Sequence, residues 1–451
     1  MRERDNAIYD VRELGIARAL ILGLQHLFAM FGATILVPIL VNGYFHGEGL
    51  SVQTTLFCAG FGTLLFHICT KLRVPAFLGS SFAFLGGFAT VAELPEFEGM
   101  TYGEKLPYAC GGIVVAGALY LVLALLIKGL GVKRVMRFLP PVVTGPIIIC
   151  IGLGLAGSAV ANASTNWTLA LIALATVIVF NIWGKGMFKI VPILMGVVVS
   201  YITAIIMQVM GVTNADGSAI IDWSSISTAG TIGLPEFVLA KFNLSAVLVM
   251  APIAIAAMME HVGDISAISA TTNRNLVESP GLSRTLAGDG LATMLAGFIG
   301  GPANTTYGEN TGVLELSKVY DPFVIRIAAM FAVMLSFIPK LSAIFGTMPT
   351  AIVGGISFIL YGMISAIGVR NIVENQVDFK QSRNLIVAAI ILVIGLGSDG
   401  LSISFGDGNS LTITALALAS IVGIVLNAIL PGKDYTFGDN PSGDENRGVH
   451  I

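Results

Sequence analysis

Glu260 and Glu309 are the residues around which chemistry in this chain must be built, because each carboxylate interrupts a stretch otherwise apolar enough to lie in a lipid bilayer. A charged side chain at the bilayer centre costs roughly 2.5–3.5 kcal/mol on insertion scales, so such a group faces a cavity and marks a substrate or ion pathway. Asp264 follows Glu260 by four residues and shares its helical face. Carboxylates gathered away from bulk water can accept N–H donors from a ligand and can hold an exchangeable proton. Both are the chemistry of a carrier. An intramembrane enzyme is not expected, since no nucleophile, metal motif or cofactor fingerprint accompanies the acids, and no Cys/His spacing suits zinc.

The elements that must position these acids are membrane helices. Hydrophobic residues make up 55% of the 451 and charged ones 11%, with mean hydropathy +0.86, far too few charges to solvate a soluble domain of this length. A formal net charge of −3 and the lack of a basic tail argue against a nucleic acid partner. Cys58, Cys69, Cys110 and Cys150 all fall in apolar stretches, which favours reduced thiols over a disulfide framework. Met1 to Gly15 is polar and runs into an apolar segment without a small-residue cleavage site, so no signal peptide is expected.

Hydropathy predicts an all-α polytopic chain of fourteen segments: 16–41, 51–70, 75–92, 107–128, 136–158, 166–184, 189–211, 243–268, 284–301, 302–318, 322–342, 346–368, 384–399 and 411–430. Lys and Arg then fall on one side in alternate loops, as Lys71/Arg73, Lys128/Lys133/Arg134, Lys185/Lys189, Arg274/Arg284 and Arg370/Lys380/Arg383, together with Arg2, Arg4 and Arg12. The opposite loops, 93–104, 213–236 and 398–410, are acidic or neutral. Both termini are therefore expected in the cytoplasm.

Three pairs of stretches echo one another seven segments apart: Pro75-Ala76 and Pro302-Ala303, Gln25-His26 and Glu260-His261, Pro140 to Gly145 and Pro349 to Gly354. An odd interval inserts the two halves in opposite senses, which predicts two inverted seven-segment repeats. Aligned at Pro-Ala, Ser81 stands opposite Gly308 and Phe82 opposite Glu309. The third and tenth segments are short, rich in Gly, Ser or Thr, and read as extended pieces followed by half-helices. Non-helical backbone at membrane depth is tolerated only where it lines a protein-enclosed cavity. Free amides near Phe82 and Gly308, at the positive ends of those half-helices, suit carbonyl oxygens or an anion. Glu260 and Glu309 supply the opposite polarity. A ligand with ring N–H donors and carbonyl acceptors, as in pyrimidine and purine bases, satisfies the mixture.

Gln25-His26-Leu27-Phe28-Ala29-Met30-Phe31-Gly32-Ala33-Thr34, Gly79-Ser80-Ser81-Phe82-Ala83-Phe84, Glu260-His261-Val262-Gly263 and Asn304-Thr305-Thr306-Tyr307-Gly308-Glu309-Asn310-Thr311-Gly312 resemble the nucleobase-ascorbate transporter family, particularly its bacterial uracil permeases, from about Gly15 to Leu430. Glu309-Asn310-Thr311-Gly312 with Ser317-Lys318 is the most specific piece, with Ser317 where Thr is usual.

The resemblance implies short strands before the half-helices of the third and tenth segments, and a proton-coupled symporter in the bacterial plasma (inner) membrane. It also implies a core (16–132 and 237–343) moving against a gate (133–236 and 344–431), flanked by cytoplasmic 1–15 and 432–451, and a homodimer. Carried over, Glu260 and Glu309 bind ring N–H groups, the Phe82 and Gly308 amides bind carbonyl oxygens, and Ser81, Tyr307 and Tyr361 complete the pocket. Proton coupling falls to Glu260, Asp264, Glu309 and Asp289. Asp264 stands where uracil permeases can carry His, and Asp289 is reminiscent of purine carriers, whereas Glu309 stands where purine carriers generally have Gln. Uracil is the expected substrate, a xanthine or purine carrier the alternative. An anion channel or exchanger built on the same paired half-helices is the reading from another class. No cofactor is expected.

Overall fold

The computed structural model describes residues 7–213, 217–404, 410–432 and 435. Arg2, Arg4 and nearly all of the 432–451 tail lie outside them.

The chain is mostly helical. Among the described residues, seven helices are long and apolar enough to cross a bilayer, and Pro322–Leu335 with Pro339–Gly346, bent by 83°, make an eighth if taken as one span. Shorter apolar helices occupy other predicted segments, among them Trp167–Trp183, Ser382–Gly397 and Ala415–Ile429. Large apolar side chains such as Ile16, Leu125, Ile182, Val209, Val393 and Ile429 are exposed, as expected of surface that meets lipid.

Polar caps start many of these helices. Thr101 and Glu104 form a reciprocal capping box at the head of Tyr102–Leu130, which is why that helix begins before the predicted 107. Ser51, Asn166, Asn243, Asp321 and Thr414 each accept an amide from the first turn of the helix that follows. The last predicted segment loses its first residues to a hairpin, Leu401–Ser404 paired antiparallel with Ser410–Ile413.

Packing is most extensive within two sets of helices. Leu282–Phe298 lies against Val52–Cys69 and Tyr102–Leu130, and Pro322–Leu335 against Val52–Cys69 and Ile16–Tyr44. In the other set, Thr350–Glu374 lies against Pro141–Gly154, Ala156–Ser164 and Trp167–Trp183, and Ser382–Gly397 against Ala415–Ile429. Each set has a close glycine crossing that a side chain would block. A Cβ on Gly117 would sit 2.7 Å from the Gly290 carbonyl, and one on Gly368 would sit 2.6 Å from that of Gly145.

Two three-residue strands meet inside the first set: β1, Leu78–Ser80, and β2, Asn304–Thr306. They are antiparallel, with Leu78 opposite Thr306, Gly79 opposite Thr305 and Ser80 opposite Asn304. The ladder continues symmetrically, Ser81 N–H donating to Ala303 (2.8 Å) and Tyr307 N–H to Phe77 (3.0 Å).

A threonine clamps each strand from behind. The Thr63 hydroxyl accepts from Leu78 N–H (2.9 Å) and donates to Leu78 C=O (3.1 Å). Thr293 does the same to Asn304, at 3.2 and 3.1 Å. Thr63 lies in the second segment and Thr293 in the ninth, seven apart.

Candidate functional site

β1 and β2 each run directly into a helix start. Ser81 and Tyr307 are the extended residues before those starts (ψ 124° and 116°), and Phe82 and Gly308 are the first residues beyond. Helix geometry leaves the first amides without intrahelical acceptors, and among the described residues neither the Phe82 nor the Gly308 amide has a hydrogen-bond partner. Counted from the end of each strand, Phe82 is the counterpart of Gly308 and Ser81 that of Tyr307, one residue from the Pro-Ala alignment. The strands pair by hydrogen-bond geometry, and the prolines preceding them play no part in the ladder.

Ile253–Thr272, which carries Glu260 and Asp264, packs against β2, against the Phe82–Phe84 turn and against Gly308–Ser317. The Thr306 hydroxyl donates to Asp264 Oδ2 at 2.7 Å, and the other Asp264 oxygen lies 3.8 Å from where a Gly308 Cβ would stand. Glu260 is close enough to Asp264, Glu309 and Asp289 to interact with them electrostatically. Glu260, Asp264 and Glu309 are all half-buried, with Gly263 and Gly308 exposed among them, and Glu309 lines a cavity. The arrangement offers carboxylate acceptors facing free backbone donors.

Other predicted residues are placed differently. Ser81 is buried, and its hydroxyl has no partner among the described residues. Tyr307 turns back into the scaffold, its hydroxyl donating to Ser80 C=O at 2.8 Å and accepting from Thr34 at 3.4 Å. Tyr361 is 2% exposed, with its hydroxyl among Ser357, Ser158 and Tyr44. Asp289 is fully buried, its Oδ2 2.7 Å from His261 Nδ1, which is equally buried. All four cysteines are free thiols.

The sequence reading named neither threonine clamp. It also missed Asn304, whose amide reaches Cys58 C=O (3.2 Å) and Ala292 C=O (3.4 Å), and Asn310, which donates to His26 C=O at 3.0 Å. The available signal was Thr63 and Thr293 standing in matching apolar segments. His26 is held by Asn310, in keeping with a structural histidine. No group of three or more His, Cys, Asp or Glu among the described residues has metal-binding geometry.

The family model described as "Permease family" matches residues 17–400. The uracil permease of Bacillus caldolyticus is 41% identical over 427 residues, covering 91% of this chain and 92% of that protein. The uracil permease of Bacillus subtilis is 39% identical, covering 90% and 91%. A putative pyrimidine permease of Escherichia coli is 37% identical, covering 93% and 91%. Among solved structures, the transmembrane domain of the cyanobacterial bicarbonate transporter BicA superposes with TM-score 0.58 at 16% identity, covering 93% of this chain and 98% of that one. The anion transporter Slc26a9 of mouse, in an inward-facing state, superposes with TM-score 0.67 at 10% identity, covering 92% and 68%. At such identities the structural likeness shows the fold alone.

Proposed function

Since this chain belongs to the nucleobase-ascorbate transporter family, we propose that it is a proton-coupled symporter importing a nucleobase, uracil first, by alternating access. Membership makes it a multi-pass membrane transporter. The observation that carries the finer reading is the antiparallel β1–β2 pair, which sets two half-helix starts beside Glu260, Asp264 and Glu309. In this reading Glu260 and Glu309 accept ring N–H groups, the Phe82 and Gly308 amides donate to carbonyl oxygens, and Ser81 borders the pocket. Tyr307 acts through the scaffold it locks to Ser80 and Thr34, and Tyr361 as part of the gate wall. Glu260, Asp264 and Glu309 exchange the coupled proton, with Asp289 behind them.

The two packing sets are the core and the gate. The seven-segment interval of the threonine clamps and the symmetric ladder support two inverted repeats of seven segments, fourteen in all. The membrane is the bacterial inner membrane with both termini in the cytoplasm, and the unit is a homodimer.

Uracil is favoured because ionised Glu309 only accepts hydrogen bonds, which suits N–H donors. Asp264 keeps a purine such as xanthine as the second reading, since purine carriers have Asp there. Three acids at the meeting point disfavour an anion exchanger. Uptake of labelled uracil by cells lacking their own uracil uptake, with unlabelled uracil, thymine and xanthine as competitors, tests the reading. Uracil should compete best, and a protonophore should abolish accumulation. Preferential competition by xanthine would transfer the assignment to purines, and accumulation indifferent to the protonophore would remove proton coupling.

A further inference from the structure

A cavity of about 460 Å³ opens between the tenth segment and the proposed gate. Glu309 stands on its lining, Phe28 and Met363 are apolar walls, and Asn181, Lys189 and Glu315 give it polar edges. Glu315 and Asn181 are exposed. This end of the cavity lies on the side of the N-terminal segment, because Ile8 N–H donates to Lys318 C=O (2.9 Å) at the close of the Gly308–Ser317 helix. Lys189 belongs to a short helix, Met187–Ile190, that packs against that same helix. The Thr271 hydroxyl reaches Glu315 Oε1 at 3.3 Å. The space therefore leads from an acid of the candidate site to the surface, with polar groups from both packing sets along it.

We propose that this cavity is a release subsite, a second and weaker position for the nucleobase between Glu309 and the cytoplasmic surface. The proposal rests on the nucleobase reading above. Its volume falls in the range of small-molecule pockets, about 300–1,000 Å³. The Asn181 amide presents a donor and an acceptor side by side, the complement of an N–H/C=O ring edge. Lys189 donates to a second ring oxygen, and Glu315 accepts a second ring N–H. Because Glu309 and Glu315 share the cavity with Lys189, an anion gains little there and an uncharged planar heterocycle is the better fit. Weak binding is what an exit requires, since a ligand must leave each position it visits.

The test is Met363→Cys, on an apolar wall of the cavity, in a Cys69→Ser background, the other native thiols being buried. Inside-out vesicles are labelled with a membrane-impermeant maleimide at increasing uracil. Uracil should protect the thiol, with half-protection at about 10-fold or more above the KM for uptake, a difference worth about 1.4 kcal/mol. Protection should persist when Glu260→Gln is added, because that change disables the first position and leaves the cavity. Should Met363→Cys fail to transport, Phe28→Cys on the other apolar wall carries the same measurement. Intact uracil uptake with no protection at any concentration would overturn the subsite alone, as would protection that vanishes with Glu260→Gln. Absence of both uptake and protection would overturn the nucleobase reading with it.

Discussion

The third and tenth segments use one scaffold for two chemistries. Each is a three-residue strand clamped by a threonine hydroxyl, followed by an extended residue and a helix start. After β1 the helix opens Phe82-Ala83-Phe84 and contributes backbone amides only; after β2 it opens Gly308-Glu309-Asn310 and contributes an amide, a carboxylate and the amide side chain that ties it to His26. Backbone geometry is matched across the pair while side-chain chemistry sits on one member. A symmetric frame thus holds an asymmetric site, so changes to the acids and changes to the frame should have different signatures.

Removing an acid should have the largest effect. Losing the charged partner of a desolvated hydrogen bond costs roughly 2–5 kcal/mol, so Glu260→Gln is expected to lower uracil uptake by about 30-fold or more at unchanged protein level. Proton-driven accumulation at the normal level by that variant would break the assignment. Glu309→Gln presents a donor where only acceptors stood, so uracil affinity should fall while competition by purines improves. Unchanged competition by both classes would count against the asymmetry.

The amides come next, and here the two segments should behave alike. Phe82 and Gly308 are first helical residues behind extended ones, a position where proline is tolerated and removes only the N–H. Phe82→Pro and Gly308→Pro should each weaken uracil binding by roughly 2- to 13-fold, the loss of one hydrogen bond worth about 0.5–1.5 kcal/mol. Phe82→Ala keeps the N–H and is the control. A loss for Phe82→Ala equal to that for Phe82→Pro would move the contact from amide to ring.

Much of this frame was legible in the sequence because it is written in apolar length and in breaks. Helices answered to long apolar runs, and the first helical residues after the breaks, Phe82 and Gly308, were the ones expected to offer free amides. The pairing of β1 with β2 was not legible, since three-residue strands carry no periodicity and the central partners, Gly79 and Thr305, lie 226 positions apart (305 − 79). Register escaped for the same reason, and the Pro-Ala alignment slipped by one residue. Asp289 could be suspected but not located, because only the folded chain brings it to 2.7 Å from His261. Tyr307 read as a pocket wall because its hydroxyl partners, Ser80 and Thr34, are distant in sequence.

The threonine clamps give the smallest effect and the sharpest check on the frame. Valine at Thr63 or Thr293 preserves shape and leaves one buried strand N–H and one C=O without a side-chain partner. Polar contacts inside membrane proteins average about 0.6 kcal/mol, and stranded buried groups cost up to about 3, so each substitution should destabilise within that range. The two losses should not be identical. Thr63 divides its single proton between Leu78 C=O at 3.1 Å and Ala59 C=O at 2.7 Å, whereas Thr293 gives its proton to Asn304 alone, at 3.1 Å. Thr293→Val should therefore lower the melting temperature in detergent at least as far as Thr63→Val. Thr90→Val, which removes only a bond to Gly86 C=O within its own helix, should lower it least. A large loss for one clamp with none for the other would mean that the matched geometry of β1 and β2 is not matched in energy.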